Sequence, residues 1–420
     1  MTSSAPPVPA QPPARLPLKI LFLIVVIDLL GFGIVLPLLP RYAERLHASG
    51  AVIGALFSCF SAMQFIFAPL WGRLSDRIGR RPVLLVALAG NVVFYGLMGV
   101  AALNESLLLL FVSRIGAGIC GATIPVAQAS IADATGVEGR AKGMALIGAA
   151  FGIGFTIGPI LGSLCQPLQE LLHWSYPLNP LPGVLASMLS GFALLVCLFK
   201  LPESHQPGES SAGVHRGWIN LPALKRAFAT PSLGALLFLV FISVFAFAQF
   251  ETTLSLLGEK VFQKDDAHML YLFTYIGVTL SVIQGVIVRT LVTRVGERML
   301  TITGTLLLGV GIFGVSICAD LKSFWGLIAV LPVVVCGFAF ITPSTTALIS
   351  RRSDPERQGE ILGLSQSASS LARILGPYLG NILFERHPAL TYQVASLLLI
   401  PAFFLALFGL QGGKDFTNEP

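Results

Sequence analysis

The chain has 420 residues, of which 54% are hydrophobic and only 11% charged, with a mean hydropathy of +0.80. Soluble domains carry about 25% charged residues, so a soluble globular enzyme, a disordered chain and a coiled coil are all excluded. Six cysteines are too sparse for a disulfide scaffold. The net charge of +6 is read as loop charge facing an anionic membrane leaflet, not as a nucleic-acid footprint.

Residues 1–17 contain six prolines and are expected to be a disordered tail. Leu18 to Pro40 is too long for a signal-peptide core and lacks a small-residue cleavage site, so it is expected to remain as the first helix. Eleven further apolar runs follow: Ile53 to Trp71, Pro82 to Leu103, Ser106 to Ala132, Gly143 to Leu164, Pro182 to Phe199, Leu233 to Leu257, Met269 to Val288, Met299 to Cys318, Phe324 to Ile349, Ile361 to Phe384 and Leu390 to Leu410. Each approaches the length of about 20 residues that spans a bilayer. The expected fold is an all-α membrane protein with 12 transmembrane helices in two pseudo-symmetric six-helix bundles. Its expected divisions are a tail at 1–17, a bundle at 18–200, a polar linker at 201–231, a second bundle at 232–411 and a tail at 412–420.

Charge orients these spans. With the N-terminus inside, the outer loops hold only Arg41, Arg45, Lys260, Lys264, Lys322 and Arg386, and nineteen basic residues fall on the inner side. Both ends are therefore expected in the cytoplasm. The cysteines form no CxxC pair and complete no zinc spacing, so no metal or other cofactor is expected.

An internal echo about 218 residues apart supports the bundle pairing. Gly154-Phe-Thr-Ile-Gly158-Pro159-Ile-Leu-Gly162 matches Ala372-Arg373-Ile-Leu-Gly376-Pro377-Tyr-Leu-Gly380, and Ser75-Asp76-Arg77-Ile-Gly79-Arg80-Arg81 is echoed by Thr293-Arg294-Val-Gly296-Glu297-Arg298. Parallel repeats of this kind place a binding site between the halves near midplane.

The stretch Gly72-Arg-Leu-Ser-Asp76-Arg77-Ile-Gly79-Arg80-Arg81-Pro82, between the second and third runs, resembles the signature of the major facilitator superfamily. Asp28-Leu-Leu-Gly31-Phe-Gly33-Ile-Val-Leu-Pro37, Met63-Gln64-Phe-Ile-Phe-Ala68-Pro69 and Arg114-Ile-Gly116-Ala-Gly118 together resemble the tetracycline efflux proteins of the drug:proton antiporter family. Gly154, Gly158, Pro159 and Gly162 resemble its antiporter motif, although Ser163 replaces the last usual glycine. Stretches around Glu251 and Arg373 resemble a tetracycline-transporter-like branch that includes vertebrate members. The resemblance implies a drug:proton antiporter. It also implies a gate in which Asp76 caps the helix beginning near Gly359, while Arg80 pairs with Asp133; Gly72, Arg77 and Gly79 belong to the same loop.

Four ionisable residues lie deep in apolar runs: Asp28, Arg114, Glu251 and Arg373. Each costs about 2.5–3.5 kcal/mol at a helix centre on insertion scales, so each should face a cavity or a partner. They could form two ion pairs that hold the bundles together. Alternatively, Asp28 or Glu251 loads and unloads protons, and the arginines bind an organic anion or repel a proton. Glu251 is favoured as the carrier, with Asp28 and Arg114 orienting substrate. Gln64 and Gln249 are candidate substrate hydrogen-bonding groups, with a polar helix-packing role as the alternative.

No GxxxxGK[ST] loop is present, so the driving force is an ion gradient or the substrate gradient itself. No nucleophile–base set is visible and no enzymatic activity is expected. The expected function is proton-coupled export of a small amphipathic organic compound, drug-like or anionic. Uptake or exchange of an organic anion or metabolite, and a non-transporting receptor on the same fold, are the alternatives. The expected surroundings are the lipid bilayer of the inner membrane, with protons and a small molecule as partners, no nucleic acid, and a monomeric state.

Overall fold

The structure is a computed structural model that describes residues 18–123, 126–127, 130–131, 149–150, 152–174, 176–203, 231–353 and 358–411. The expected tails, the 204–230 part of the linker and Asp133 lie outside the described residues. In chain order the helices are α1 (Leu18–Val35), α2 (Leu39–Arg45), α3 (Gly50–Ile78), α4 (Arg80–Leu103), α5 (Leu107–Cys120), α6 (152–163), α7 (Cys165–Leu171), α8 (Leu181–Lys200), α9 (Pro231–Lys260), α10 (Asp266–Val282), α11 (Arg289–Asp320), α12 (Phe324–Arg352), α13 (Gln358–Arg386) and α14 (Pro388–Phe404). No strand occurs among the described residues. Helices satisfy every backbone polar group within one segment, which is what hydrocarbon demands.

Eight helical stretches among the described residues are long and apolar enough to cross a membrane. One of them, Asp266–Asp320, includes a π-helical turn at Ile283–Val288 and a break at Gly296, so it is more than one straight element.

The break at Gly296 repeats one in the first half. Gly79 and Gly296 have φ of +101° and +79°, and they are the positive-φ glycines of the described residues. They stand at the same place in the sequence echo, where only a residue without Cβ turns the chain without strain. On the opposite face, Glu105 (φ 48°) precedes Ser106, whose hydroxyl caps α5 by accepting from Leu109 N. Lys322 (φ 51°) likewise precedes Ser323, which caps α12 by accepting from Gly326 N. The repeat read from side chains is thus also a repeat of backbone conformation. We call the face with the Glu105 and Lys322 turns the turn face, and the one where α1 begins the terminal face.

Small residues let helices approach closely where van der Waals packing has to replace hydrophobic drive. In the first half, α6 lies on α1 so tightly that a Cβ on Gly158 would stand 2.8 Å from the backbone of Gly33. In the second half the equivalent pair, α13 on α9, meets through Gly376 and Gly380 against Ala248 and Gln249. The halves meet along α3 with α13 and α6 with α10. A Cβ on Gly54 would be 2.7 Å from Tyr378 Cα, and one on Gly277 would be 2.3 Å from Phe155 O. Ser58 Oγ donates to Ile374 O, and Thr156 and Ser281 share a hydrogen bond of 3.2 Å across the two crossings.

Candidate functional site

Asp28 lies ten residues into α1, about 15 Å from its start, and is half-buried. Its Oδ1 accepts a 2.6 Å hydrogen bond from Asn91 Nδ2 on α4. One turn further along α4, the Tyr95 ring packs against Gly31. Arg114 on α5 is only 2% exposed, with its guanidinium 5.6 Å from the Phe60 ring centroid and 5.5 Å from that of Tyr95. Phe60 in turn stacks on Phe32 at 5.3 Å, and Phe32 meets Phe155 edge-on at 5.9 Å.

This geometry bears on the alternative in which the four ionisable residues form two ion pairs. Asp28 and Arg114 are not an ion pair: Asp28 is held by Asn91, and Arg114 by two aromatic faces. The energetic reason is that a neutral amide supplies the carboxylate with a donor, while cation–π contact at a desolvated site returns about 2 kcal/mol. Gln64 donates from Nε2 to Gly121 O at 3.2 Å and so braces the end of α5.

In the second half, Glu251 on α9 is half-buried and makes no hydrogen bond or ion pair among the described residues. The positive charge acting on it is that of Arg373, which stands exposed on α13 beyond ion-pair distance. Glu251 and Arg373 therefore do not form the second ion pair of that alternative either. Gln249 is fully buried, with its stem against Gly380, and neither amide atom has a partner among the described residues. Two residues in a helix turn by about 200°, so Gln249 faces the α9–α13 contact while Glu251 faces away from it.

At the terminal face, Arg80 Nη1 reaches Asp76 Oδ1 at 2.5 Å and Ser75 Oγ at 2.6 Å. Glu203, just past α8, accepts the backbone N–H of Arg80 at 2.9 Å and of Arg81 at 3.1 Å. A carboxylate is stabilising at a helix N-terminus because four N–H groups there lack partners. Arg77 is exposed, and Gly72 has open space where a Cβ would stand. The expected Arg80–Asp133 contact lies outside the described residues, as do the surroundings of Gly359. The antiporter-motif glycines Gly154 and Gly158 face α1, Gly162 meets Leu270 of α10, and Pro159 is buried with them.

The turn face holds a cluster that the sequence reading treated only as loop charge. Arg41 of α2, 2% exposed, places Nε 2.8 Å from Glu259 Oε2 and 2.7 Å from Asp266 Oδ1. Its Nη2 donates to Lys264 O at 3.0 Å. Arg45 grips both oxygens of Asp266 at 3.1 Å, and Lys260 meets Glu44 at 2.7 Å. Ser255 Oγ donates to Pro37 O, and Gly50 N to Glu385 Oε2. The signal was present as mixed charge at the ends of paired runs, Arg41 to Arg45 against Glu259 to Asp266. Only the packing shows that these ends face each other.

The helical architecture, the two crossings between halves and the unpaired charges beside them define a multi-pass membrane transporter. The model of the Major Facilitator Superfamily matches residues 21–377 and 283–411, and the chain belongs to that family. It is 33% identical over 367 residues to the class E tetracycline resistance protein of Escherichia coli, covering 86% of each chain. It is 29% identical to the human Major facilitator superfamily domain-containing protein 10, covering 95% of this chain and 94% of that one. Among solved structures, that of the human organic anion transporter MFSD10 (TETRAN) is 27% identical with a TM-score of 0.68, covering 94% of this chain and 100% of that one. The nucleoside transporter NupG is 16% identical with a TM-score of 0.73, covering 94% of this chain and 99% of that one, and shares the fold. These relatives are transporters, not enzymes.

Proposed function

We propose that the chain exports a small amphipathic organic compound in exchange for protons by alternating access. The observation that carries this reading is Glu251, a half-buried carboxylate with neither hydrogen bond nor ion pair among the described residues. A carboxylate in that position is expensive unless it trades its charge for a proton. Arg373 stands close enough to act on it but too far to neutralise it. The tetracycline-resistance relatives and the organic anion transporter support a compound of this class.

The polar ties between the halves, from Arg41–Glu259 to Thr156–Ser281, run from the turn face towards the middle of the span. They support a state closed on that face, with the terminal face as the open one. In this reading twelve helices form two bundles at 18–200 and 232–411, joined by the 201–231 linker. Both termini are cytoplasmic, the membrane is the inner membrane, and the working unit is a monomer. Asp76, Arg80, Asp133 and the start of α13 near Gly359 close the terminal face in the opposite state.

The test is flux in proteoliposomes with an imposed pH gradient and a panel of amphipathic compounds. Glu251→Gln should lose proton-driven flux and retain exchange, whereas Asp28→Asn should keep its proton dependence. The reverse pattern assigns the proton to Asp28. Gradient-independent exchange in the unaltered protein would instead support uptake or exchange of an organic anion, the reading that the unpaired Arg373 favours. Binding without flux would support a receptor.

A further inference from the structure

The connection between the apolar runs Gly143 to Leu164 and Pro182 to Phe199 opens with the short helix α7, whose three sides differ. Successive helical residues turn by about 100°. Cys165 and Gln169 therefore share one side, and both are buried. Gln166 and Glu170 make a second, polar side. Leu164, Leu168, Leu171 and Leu172 fall together within about 100° on the third. All four are exposed, Leu164 at 57% and Leu171 at 75%. Just beyond the helix Trp174 and Tyr176 are exposed as well, with their rings edge-on at 6.0 Å.

These side chains are held outward. Gln169 Nε2 donates to Trp174 O at 3.0 Å and to Tyr176 O at 3.2 Å, which fixes the aromatic pair on the helix. Asn179 Nδ2 donates to Cys165 O at 3.0 Å, and Tyr42 Oη donates to Asn179 O at 2.6 Å. The helix is thereby fastened to α2 at the turn face and cannot roll to tuck its leucines away. A contiguous apolar patch that stays exposed marks a surface with a partner.

The patch also continues an apolar stripe of α6. Ile157 and Ile160 are exposed on the side of α6 away from Phe155, whose ring meets Phe32 of α1. Leu164 keeps helical dihedrals (φ −70°, ψ −18°), so Leu164, Leu168 and Leu171 extend the Ile157–Ile160 stripe at three- and four-residue steps. On a helix within a membrane-crossing bundle, the side turned away from the other helices meets lipid. Tryptophan and tyrosine at the end of such a stripe are the residues that favour the headgroup level.

We infer that α7 with Trp174 and Tyr176 is a membrane-docking surface, seated at the boundary of acyl chains and headgroups in the leaflet at the turn face. Leu164, Leu168, Leu171 and Leu172 enter the acyl region, Glu170 stays on the polar side, and the two rings lie among the headgroups. Its partner is the lipid surface itself, because the patch is continuous with the lipid-facing side of α6 and exposes a single carboxylate.

The test is fluorescence of the full chain in nanodiscs of phosphatidylcholine brominated either close to the headgroup or close to the chain end. Subtracting the Trp174→Phe variant in each background isolates the Trp174 emission. That emission should be quenched by the shallow bromines, less by the deep ones, and only weakly by aqueous iodide. Leu168→Glu with Leu171→Glu should lose the shallow quenching and gain iodide quenching, whereas Leu168→Phe with Leu171→Phe should keep the original pattern. Strong iodide quenching of the unaltered chain, without quenching by lipid, would place the segment in water and overturn the inference. Protection from both quenchers would mean that protein, such as a second copy of the chain, covers the patch, and overturns it as well. So does shallow quenching that survives both glutamates, since the leucines would then not be what holds the segment in the bilayer.

Discussion

Arg41 and Glu259, 218 positions apart, meet at 2.8 Å and tie the first half of the chain to the second at the turn face. Arg41 is nearly sealed from solvent, whereas Glu259 and its neighbour Arg45 remain partly open. The pair is therefore asymmetric. Loss of the carboxylates strands a buried cation, while loss of the cation leaves Glu259 open to water and Asp266 still held by Arg45.

That asymmetry gives the first prediction. Asp266→Asn combined with Glu259→Gln should weaken closure of the turn face more than Arg41→Gln does. Breaking a buried pair from one side costs about 3–5 kcal/mol at most, and partial exposure of Glu259 reduces this. Spin labels at Ser49 and His387, in a background without the native cysteines, should report a longer distance in the double variant. An unchanged distance distribution would show that the cluster does not hold the face shut.

The echoed turns separate backbone strain from crowding. Gly79→Ala and Gly296→Ala each place a Cβ at positive φ with ψ 160°, a region essentially reserved for glycine, at about 1–3 kcal/mol. At Gly79 that Cβ also stands 2.4 Å from Glu203 Oε2, while at Gly296 it meets nothing within 4 Å among the described residues. Thermal unfolding in detergent should fall in both variants and further in Gly79→Ala. Equal losses would mean that Glu203 swings away freely.

Gly277 and Gly285 make a matched pair on the α10 side. A Cβ on Gly277 would be 2.3 Å from the carbonyl oxygen of Phe155 in the other half, and one on Gly285 would meet nothing within 4 Å among the described residues. Gly277→Ala should slow transport by prising α10 from α6, as read by initial rates in proteoliposomes. Gly285→Ala should be neutral, or stabilising by up to about 1 kcal/mol from helix propensity. A transport loss in Gly285→Ala alone would reverse this assignment of the contact.

Asp265 caps α10 by accepting from His268 N at 2.8 Å. Burial acts to raise its carboxyl, but the His268 backbone and side-chain hydrogen bonds outweigh it and hold the group below its ordinary 3.8. A depressed carboxylate adds stability above its unfolded pKa, and that stability is lost as pH falls through the folded value. The melting temperature of the Asp265→Ala variant should thus lie below that of the unaltered chain at pH 7, with the gap narrowing below pH ~4. The effect is small because the side chain is largely exposed. Asp265→Asn should retain most of the cap, because asparagine accepts the same hydrogen bond.

Composition was enough to assign the membrane class, because 11% charge cannot cover the surface of a soluble protein of this size. The repeat was equally legible, since glycines at turns and close crossings are fixed by the absence of Cβ, a property written in the residue itself. The sequence alone therefore pairs Gly79 with Gly296, and Gly158 with Gly376. Partnership among the buried charges was not legible in this way. Asp28 and Arg114 sit at plausible depths for a pair, yet Asn91 and two aromatic rings take their places. Helical rotation decides which face a residue presents, so Gln249 and Glu251, two positions apart, went to opposite environments. The Arg41–Glu259–Asp266 cluster depended on the docking of one half against the other. Contacts between segments more than 200 residues apart leave no local period in a single chain, so they come into view only when the two halves are packed together.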